Sequence, residues 1–290
     1  MEQGLSGKSK MKCFFVSDLH GKQARLESLC ERIRSDKPSI LFIGGDITPS
    51  AFGYSGDYIH EVFVPEFRKL KNEMGKDYPA VYIILGNDDP RSFERELIEA
   101  DKEGLMVYLH NRKEKIANHT VFGYSYIPPT PFLLKDWERY DVSRYVDPGC
   151  VHPTEGMRSV EVSKDEAMFS TIEKDLGLLT AQLQDLSKSI FLFHSPPYKS
   201  MLDRADLDGK TFDHVPLDVN VGSIAIERFI KTQQPLLTLH GHVHESSSIT
   251  GEWKEKWGDT WMYSAAWNGK ELALVIFDLN KLEMAERILI

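Results

Sequence analysis

The sequence predicts an α/β sandwich with two β-sheets. Three observations predict this fold. Short apolar runs rich in β-branched or aromatic residues recur along the chain, amphipathic helical patterns lie between some of them, and strand-like segments follow one another closely near the C-terminus. The chain has 290 residues, of which 41% are hydrophobic, and this is enough apolar material for one sizeable core.

Five apolar runs predict the principal strands. They are Lys12–Ser17, Ile40–Ile43, Ala80–Leu85, Ile190–Phe193 and Pro235–Leu239. Near-continuous apolar runs of this length are typical of strands that are buried on both faces.

Two segments predict helices. In Gln23–Ile33, apolar residues recur at helical spacing and form one face. In Ser163–Leu186, Ser163 and Glu166 match a capping box, and apolar residues follow at helical spacing up to Leu183. We therefore expect one long helix over Ser163–Leu186.

The C-terminal part predicts further strands. Thr260–Trp267, Leu272–Leu279 and Met284–Ile290 lie so close together in the sequence that we expect an antiparallel group.

The domain organisation follows from the distribution of polar segments. We expect residues 1–10 to form a flexible tail and residues 11–290 to form a single domain. The segments near 140–163 and 199–220 are polar and irregular, so we expect inserted loops there, and the sequence leaves open whether they close over a site.

Charge and cysteine content restrict the function and location. The net charge of −9 provides no general attraction for nucleic acid, so strong non-specific binding to DNA or RNA is not expected. Cys13, Cys30 and Cys150 match neither a zinc finger nor a disulfide framework, which predicts a reducing, cytoplasmic location. No apolar run has membrane-spanning length, so no membrane partner is expected. The sequence leaves the oligomeric state open.

Each of the five apolar runs leads into residues that are able to bind metal ions. These residues are Asp18 and His20, then Asp46, then Asn87 with Asp88 and Asp89, then His194, and finally His242 and His244. In open α/β sheets, sites form outside the carboxyl ends of the strands. We therefore expect the five clusters to meet in one crevice.

The spacing within two clusters suits a pair of metal ions. Residues two apart in an extended chain point to the same side and lie roughly 6.5–7 Å apart. Two hydrolytic metal ions lie about 3.5–4 Å apart. His242 and His244 are therefore able to place one imidazole on each ion, and mixed oxygen and imidazole ligands suit manganese, iron or zinc.

The ordered motifs Asp-x-His, Gly-Asp, Gly-Asn-x-Asp, His and Gly-His-x-His resemble those of the calcineurin-like metallophosphoesterase family, from Asp18 to His244. The resemblance implies an αββα sandwich and two divalent or trivalent metal ions, which are manganese, iron, zinc or nickel. It also implies the ligands: Asp18, His20 and His244 for the first ion, Asn87, His194 and His242 for the second, and Asp46 for both.

The same resemblance implies hydrolysis of phosphate esters by a metal-activated hydroxide, with Asp88 and Asp89 as catalytic residues. Asp88 departs from the family, because many relatives carry a histidine there that contacts or protonates the substrate. An ionised carboxylate donates no hydrogen bond and repels phosphate. A phosphodiester of a small molecule or nucleotide is therefore the favoured substrate, although a side chain turned away from the site is equally compatible with the sequence.

Two other functions stay open at this stage. One is a phosphomonoesterase, including a protein phosphatase. The other is a non-catalytic metal-binding scaffold, which the retention of every matched ligand disfavours.

Overall fold

The computed structural model describes residues 11–49 and 56–290, so the predicted tail over residues 1–10 lies outside the described residues. The strands in the described part of the chain are, in order, β1 (Lys12–Val16), β2 (Ile40–Gly44), β3 (Ala80–Ile84), β4 (Val107–Tyr108), β5 (Arg112–Ile116), β6 (His119–Tyr124), β7 (Ser189–Phe193), β8 (Thr211–Phe212), β9 (Val215–Pro216), β10 (Leu237–His240), β11 (Lys254–Trp257), β12 (Thr260–Ser264), β13 (Ala273–Asp278) and β14 (Glu286–Leu289).

The α-helices of the same residues are α1 (Gln23–Asp36), α2 (Val64–Met74), α3 (Glu94–Lys102), α4 (Lys164–Phe169), α5 (Ile172–Thr180), α6 (Ile224–Gln233) and α7 (Ser246–Thr250). A π-helical turn at Ile59–Phe63 leads directly into α2. Among the described residues, no helix is both long and apolar enough to cross a membrane.

The strands form two mixed six-stranded sheets and a small hairpin. The first sheet has the order β14-β13-β1-β2-β3-β4, and β1 to β4 are parallel to one another. The second sheet has the order β11-β12-β10-β7-β6-β5, and β12, β10, β7 and β6 are parallel. In the first sheet, β13 is antiparallel to both of its neighbours, β1 and β14, and in the second sheet the edge strands β11 and β5 are antiparallel to β12 and β6.

Alternate residues of each central strand enter different parts of the core. In β1, Phe15 packs with residues of both sheets, including Phe42 and Leu192, whereas Phe14 belongs to a cluster that contains Leu26 and Leu29 of α1. One apolar layer thus lies between the sheets, and helices cover the outer faces. The predicted αββα sandwich is confirmed, and its five predicted principal strands correspond to β1, β2, β3, β7 and β10.

The prediction of one helix over Ser163–Leu186 is wrong, because two short helices occupy this region. Ser163 accepts a hydrogen bond from the backbone N–H of Glu166 at 3.0 Å, so the predicted N-cap exists. Thr171, however, is extended and caps a second helix by accepting from the N–H of Lys174 at 3.2 Å. The N–H of Ile172 also donates to the carbonyl of Tyr140 at 2.9 Å, so the chain is held away from helical geometry there.

The predicted C-terminal antiparallel group is only partly correct. β13 and β14 are antiparallel neighbours in the first sheet, but β12 lies in the second sheet and runs parallel to β10. A period of two identifies a strand and does not identify its sheet. The sequence does not predict the hairpin of β5 and β6. β5 is an exposed edge strand, and its charged residues Arg112–Lys115 form no apolar run that would identify a strand.

His110 is a buried histidine in the aromatic part of the core. Its Nδ1 atom accepts a hydrogen bond from the backbone N–H of Ser125 at 3.1 Å, and its ring centroid lies 4.7 Å from that of Trp137. Burial, together with the positive charges of Arg91 and Arg139, holds the pKa of His110 well below its usual value. The folded protein therefore keeps this imidazole neutral.

We expect His110→Gln to flatten the loss of stability in acid. In the wild-type protein, stability from the neutral imidazole is complete above about pH 6.5 and is lost as the pH falls, because the unfolded chain binds the proton first. Between about pH 7.5 and pH 5.5, urea unfolding should show roughly 1 kcal/mol less acid destabilisation in the variant. His60→Gln, at an exposed histidine, is the control. Parallel pH profiles for His110→Gln and wild type would contradict this account.

Candidate metal centre

The residues predicted to bind metal ions meet at the carboxyl ends of parallel strands. Asp18, Asp46 and Asn87 follow β1, β2 and β3, which are neighbours in the first sheet. His194 and the His242–His244 segment follow β7 and β10, which are neighbours in the second sheet. Because both sheets present these ends on the same side, the motifs from distant parts of the sequence come within contact distance.

One group of possible ligands contains Asp18, His20, Asp46 and His244. The Nε2 atom of His244 lies 3.1 Å from Asp18 Oδ1 and 2.9 Å from the Nε2 atom of His20. His20 Nε2 lies 4.0 Å from both Asp18 Oδ1 and Asp46 Oδ2. Two imidazole nitrogens this close are stabilised only if a proton or a cation neutralises the repulsion between their lone pairs.

A second group contains Asp46, His194 and His242, so Asp46 belongs to both groups. The Nε2 atom of His194 lies 3.2 Å from Asp46 Oδ2 and 3.0 Å from Asn87 Oδ1. His194 Nδ1 lies 2.7 Å from the carbonyl oxygen of Gly44, and this contact fixes the orientation of the ring. All seven residues predicted to bind metal ions therefore lie together.

The electrostatics of the two central carboxylates favour their charged form. Burial alone raises the pKa of Asp18, but the surrounding histidines, His244 foremost, outweigh burial and hold the pKa well below its usual range. At Asp46, burial is again outweighed, here by His194 and His20, and the pKa falls to about 2. Both carboxylates are thus anionic oxygen donors at neutral pH.

The imidazoles differ in their electrostatic environment. At His194, the attraction of the Asp46 carboxylate exceeds the cost of burial and raises the pKa to about 10. Burial dominates at His242 and lowers its pKa to about 3, and burial also lowers the pKa of His20. At His244, the nearby Asp18 overcomes the cost of burial and raises the pKa. The protein therefore pairs positive charge with its two central carboxylates.

The residues present fit metal ions. Within the described residues, the buried Oδ2 atom of Asp18 has no hydrogen-bond donor. Carboxylate, imidazole and amide donors without thiolate suit manganese, iron or zinc. Gly86 also allows the ligands to approach, since a Cβ atom there would lie 2.2 Å from Asp46 Oδ1 and 2.7 Å from His194 Cε1. An orphaned anionic oxygen among converging donors is the arrangement expected of a cation site.

The loops that carry the ligands adopt strained backbone conformations. Asp18, His20, Asp46 and His242 have φ angles of 59°, 50°, 52° and 74°. Non-glycine residues rarely adopt this left-handed region, and such outliers concentrate at functional sites. These left-handed conformations turn the backbone sharply after each strand, so that the side chains point toward one another.

A sequence profile described as calcineurin-like phosphoesterase matches residues 11–246 of the chain. The chain belongs to this family. The resemblance predicted from the motifs is therefore confirmed, and the family acts on phosphoesters with the help of metal ions.

Solved structures show the same fold. The phosphoesterase resembles the protein TT1561 of Thermus thermophilus with a TM-score of 0.60 and 17% identity, over 97% of this chain and 99% of that chain. An archaeal phosphodiesterase is 11% identical over 97% and 100% of the two chains, with a TM-score of 0.46. A dimetal phosphatase of Danio rerio is 11% identical over 93% and 96%, with a TM-score of 0.45. At these identities, the similarity to TT1561 shows a shared fold and no more. A comparison with curated proteins gives no match.

Asp88 faces the metal centre. Its Oδ2 atom lies 3.5 Å from His20 Nδ1, and its Oδ1 atom accepts a hydrogen bond from Asn87 Nδ2 at 3.1 Å. The side chain is 34% exposed and lines a cavity beside the ligand groups. Burial and the carboxylates of Asp46 and Asp89 raise its pKa to about 7.

Asp89 lies behind the site and holds two loops together. Its carboxylate accepts hydrogen bonds from the backbone N–H groups of Ile47, Thr48 and Gly86 at 2.8–2.9 Å, and from the Thr48 hydroxyl at 2.8 Å. The side chain is fully buried and does not line the cavity. Burial and Asp46 raise its pKa to about 6, so it is ionised at neutral pH. Asp89 therefore connects the loop after β2 with the loop after β3.

A cavity of about 420 Å³ opens directly beside the metal centre. Asp46, Asn87, His242 and His244 lie at one end. Residues from both predicted irregular segments, near 140–163 and 199–220, line the remaining walls. Cavities of this size accommodate small molecules.

The sequence pointed to no role for Arg25 or Trp137, which support the site from outside the cluster. Arg25 is buried and donates to the carbonyl of Asp18 and, at 2.8 Å, to that of Gly269. Trp137 Nε1 donates to the carbonyl of Asp89 at 2.8 Å. Of these two residues, only Arg25 could have been identified from the sequence. It lies four positions before Leu29 and therefore on the apolar face of α1, where a charged residue is unusual.

We expect Asp89→Asn to destabilise the protein far more than Asp88→Asn. The amide at position 89 cannot accept all four hydrogen bonds and adds two donors of its own, so unfolding in urea should require about 2–4 kcal/mol less free energy. Asp88→Asn is the matched control, because its partly exposed side chain supports no loop, and it should change stability by less than about 1 kcal/mol. Equal effects of the two substitutions would show that Asp89 does not hold the loops.

Proposed function

We propose that this protein hydrolyses phosphodiesters of small molecules with the help of two metal ions. The observation that carries the proposal is the pair of ligand groups that share Asp46 at one end of a cavity of about 420 Å³. Membership of the phosphoesterase family supplies the reaction class. Shared carboxylates between two ligand groups are typical of dinuclear hydrolytic sites.

The arrangement of the side chains supports one set of ligands for each metal ion. Asp18, His20 and His244 would hold one metal ion, and Asn87, His194 and His242 would hold the other. Asp46 would contact both, which agrees with its membership of both ligand groups. The Asn87 oxygen lies 3.0 Å from His194 Nε2, so it converges on the second group although it carries no charge. Manganese, iron, zinc and nickel all suit this set of donors.

Metal ions bound to these residues supply Lewis-acid charge for the phosphoryl oxygens and lower the pKa of the water that attacks phosphorus. The chain orients the substrate at the centre and carries no nucleophile of its own in the proposal. Asp88 lies 3.5 Å from His20 and lines the cavity, so it is the proposed catalytic residue that would face the phosphoryl group. Asp89 acts as a positioning residue, because its carboxylate is fully engaged with Ile47, Thr48 and Gly86.

The charge of Asp88 supports a diester substrate. A phosphomonoester carries up to two negative charges and a diester carries one. The Asp88 carboxylate therefore repels the monoester more strongly above about pH 7, where it is mostly ionised. Asp88 also offers no hydrogen-bond donor for a leaving group unless it is protonated. A cytoplasmic location, and the absence of strong non-specific nucleic acid binding, are further parts of the proposal that rest on composition.

We expect metal-free protein to bind two equivalents of manganese, measured by elemental analysis after gel filtration. His194→Ala and His20→Ala should each lose about one equivalent, because each removes a ligand of only one group. Asp46→Ala should lose both, because it removes the shared ligand.

His60→Ala is the control for this series, since His60 is exposed and lies outside both groups. Circular dichroism should show that every variant is folded before its metal content is compared. One equivalent in the wild-type protein, with no further loss in His194→Ala, would contradict a dinuclear site.

We expect manganese-loaded protein to hydrolyse bis(para-nitrophenyl) phosphate better than para-nitrophenyl phosphate, and His242→Ala to abolish both activities. At about pH 8, where Asp88 is mostly ionised, Asp88→Asn should shift the ratio of kcat/KM values toward the monoester by roughly ten-fold or more, because the carboxylate no longer repels the second negative charge.

Asp259→Asn provides a control with the same change in net charge at an exposed turn. A wild-type preference for the monoester, or an unchanged ratio in Asp88→Asn, would refute the role proposed for Asp88. Absence of turnover with any of the four metals, despite stoichiometric binding, would favour a scaffold instead.

A further inference from the structure

The cavity beside the metal centre is mainly apolar away from the ligands. Its walls include Phe132, Val146, Leu207 and Leu217, with Val221 and Ile224 nearby. Binding to an apolar wall is favourable when the ligand buries apolar surface of its own against it. The group that enters the cavity next to the phosphate is therefore expected to be apolar.

The charged residues of the walls are all acidic. Among the described residues, no lysine or arginine lines the cavity, whereas Asp147, Asp218 and Glu245 do. Asp147 and Asp218 are close enough that burial and Asp218 together raise the pKa of Asp147. A second phosphate or a carboxylate on the substrate would meet these side chains without a cation to balance it.

The walls are held in place by two carboxylates that accept hydrogen bonds from neighbouring segments. Asp141 accepts hydrogen bonds from the Ser223 hydroxyl and the Ile224 N–H, both at 2.6 Å. Asp203 accepts from the Lys199 N–H and from Asn220 Nδ2, both at 2.9 Å. These hydrogen bonds fix the walls, so that little ordering free energy opposes binding.

Prolines stiffen another part of the cavity wall. Pro128, Pro129 and Pro131 line the cavity beside Phe132, and each fixes its own backbone φ angle. A stiff apolar wall selects for the shape of an organic group and offers few hydrogen bonds to a polar one.

We infer that the substrate is a phosphodiester whose organic group is apolar and carries no further negative charge, and that this group fills the cavity while the phosphate lies at the metal centre. The inference rests on the proposed function and names the substrate class of the same site. It disfavours pyrophosphates and nucleoside diphosphates, because the acidic walls offer no cation for a second phosphate.

Phosphinates test the inference without hydrolysis, because they carry one negative charge and contain no ester bond. Calorimetric titration of manganese-loaded protein should show that diphenylphosphinate binds at least about ten-fold more tightly than dimethylphosphinate. The tighter binding should be accompanied by a negative heat-capacity change, which marks the burial of apolar surface. Equal affinities would overturn the inference.

Two further ligands separate charge from shape. A para-carboxylate on one ring of diphenylphosphinate should weaken binding by about ten-fold or more, because it adds a negative charge near Asp147 and Asp218. Unchanged affinity would contradict the acidic wall. Dihexylphosphinate compares an alkyl chain with an aromatic ring, and the tighter of the two ligands identifies the source of the apolar group.

Substitutions place the effect in the cavity. Leu217→Asn and Val146→Asn should each weaken diphenylphosphinate several-fold and leave dimethylphosphinate unchanged. Leu178→Asn is the matched control, since Leu178 is 78% exposed on α5 and lies outside the cavity. Two separate positions keep the test valid if one variant fails to fold. Unchanged binding of diphenylphosphinate in both folded variants would overturn the inference.

Turnover distinguishes the two levels of the proposal. Hydrolysis of bis(para-nitrophenyl) phosphate together with equal phosphinate affinities would overturn the substrate class and leave the proposed function intact. Selective binding of diphenylphosphinate without hydrolysis of any ester would overturn the proposed function, and with it the assignment of these compounds as a substrate class.

Discussion

The burial of Asp18 and Asp46 beside one another is the constraint on which the surrounding structure depends. Both carboxylates are at most 2% exposed and stay charged. Buried charge is stable only when it is paired and hydrogen-bonded. Histidines and backbone donors stabilise the two charges. The N–H of His242 donates to Asp18 at 3.1 Å, and the N–H of Asp88 donates to Asp46 at 2.9 Å. An orphaned oxygen on Asp18 remains, and a metal ion would satisfy it.

This concentration of charge explains the form of the loops. Ligands that converge from two sheets require abrupt turns, and four of the ligand residues accept left-handed backbone conformations as a result. Such strain persists only where neighbouring structure fixes it. Asp89 provides part of that support, because it binds the backbone of the loops after β2 and β3, and Arg25 provides another part through the carbonyl of Asp18. The residues behind the cluster thus determine its geometry.

The sequence predicted the principal strands and the convergence of the ligands, because both follow from local patterns. Buried parallel strands are apolar without interruption, and their carboxyl ends share one edge. The break between α4 and α5 was missed, since the apolar spacing continues across it while Thr171 begins a new helix. The sheet of β12 was also missed, because strand pairing depends on tertiary contacts. Whether Asp88 faces the site was left open in the sequence, and side-chain direction required the structure.

The cavity walls and the metal ligands are coupled through α6. This helix lies between β7 and β10 in the chain, and the ends of those strands carry His194 and the His242–His244 segment. Asp141 caps the same helix from the wall segment by accepting hydrogen bonds from its first N–H groups. Movement of the wall relative to the ligands would therefore break buried hydrogen bonds at the helix N-terminus. The contact between Asp141 and α6 therefore keeps this wall of the cavity in register with the metal centre.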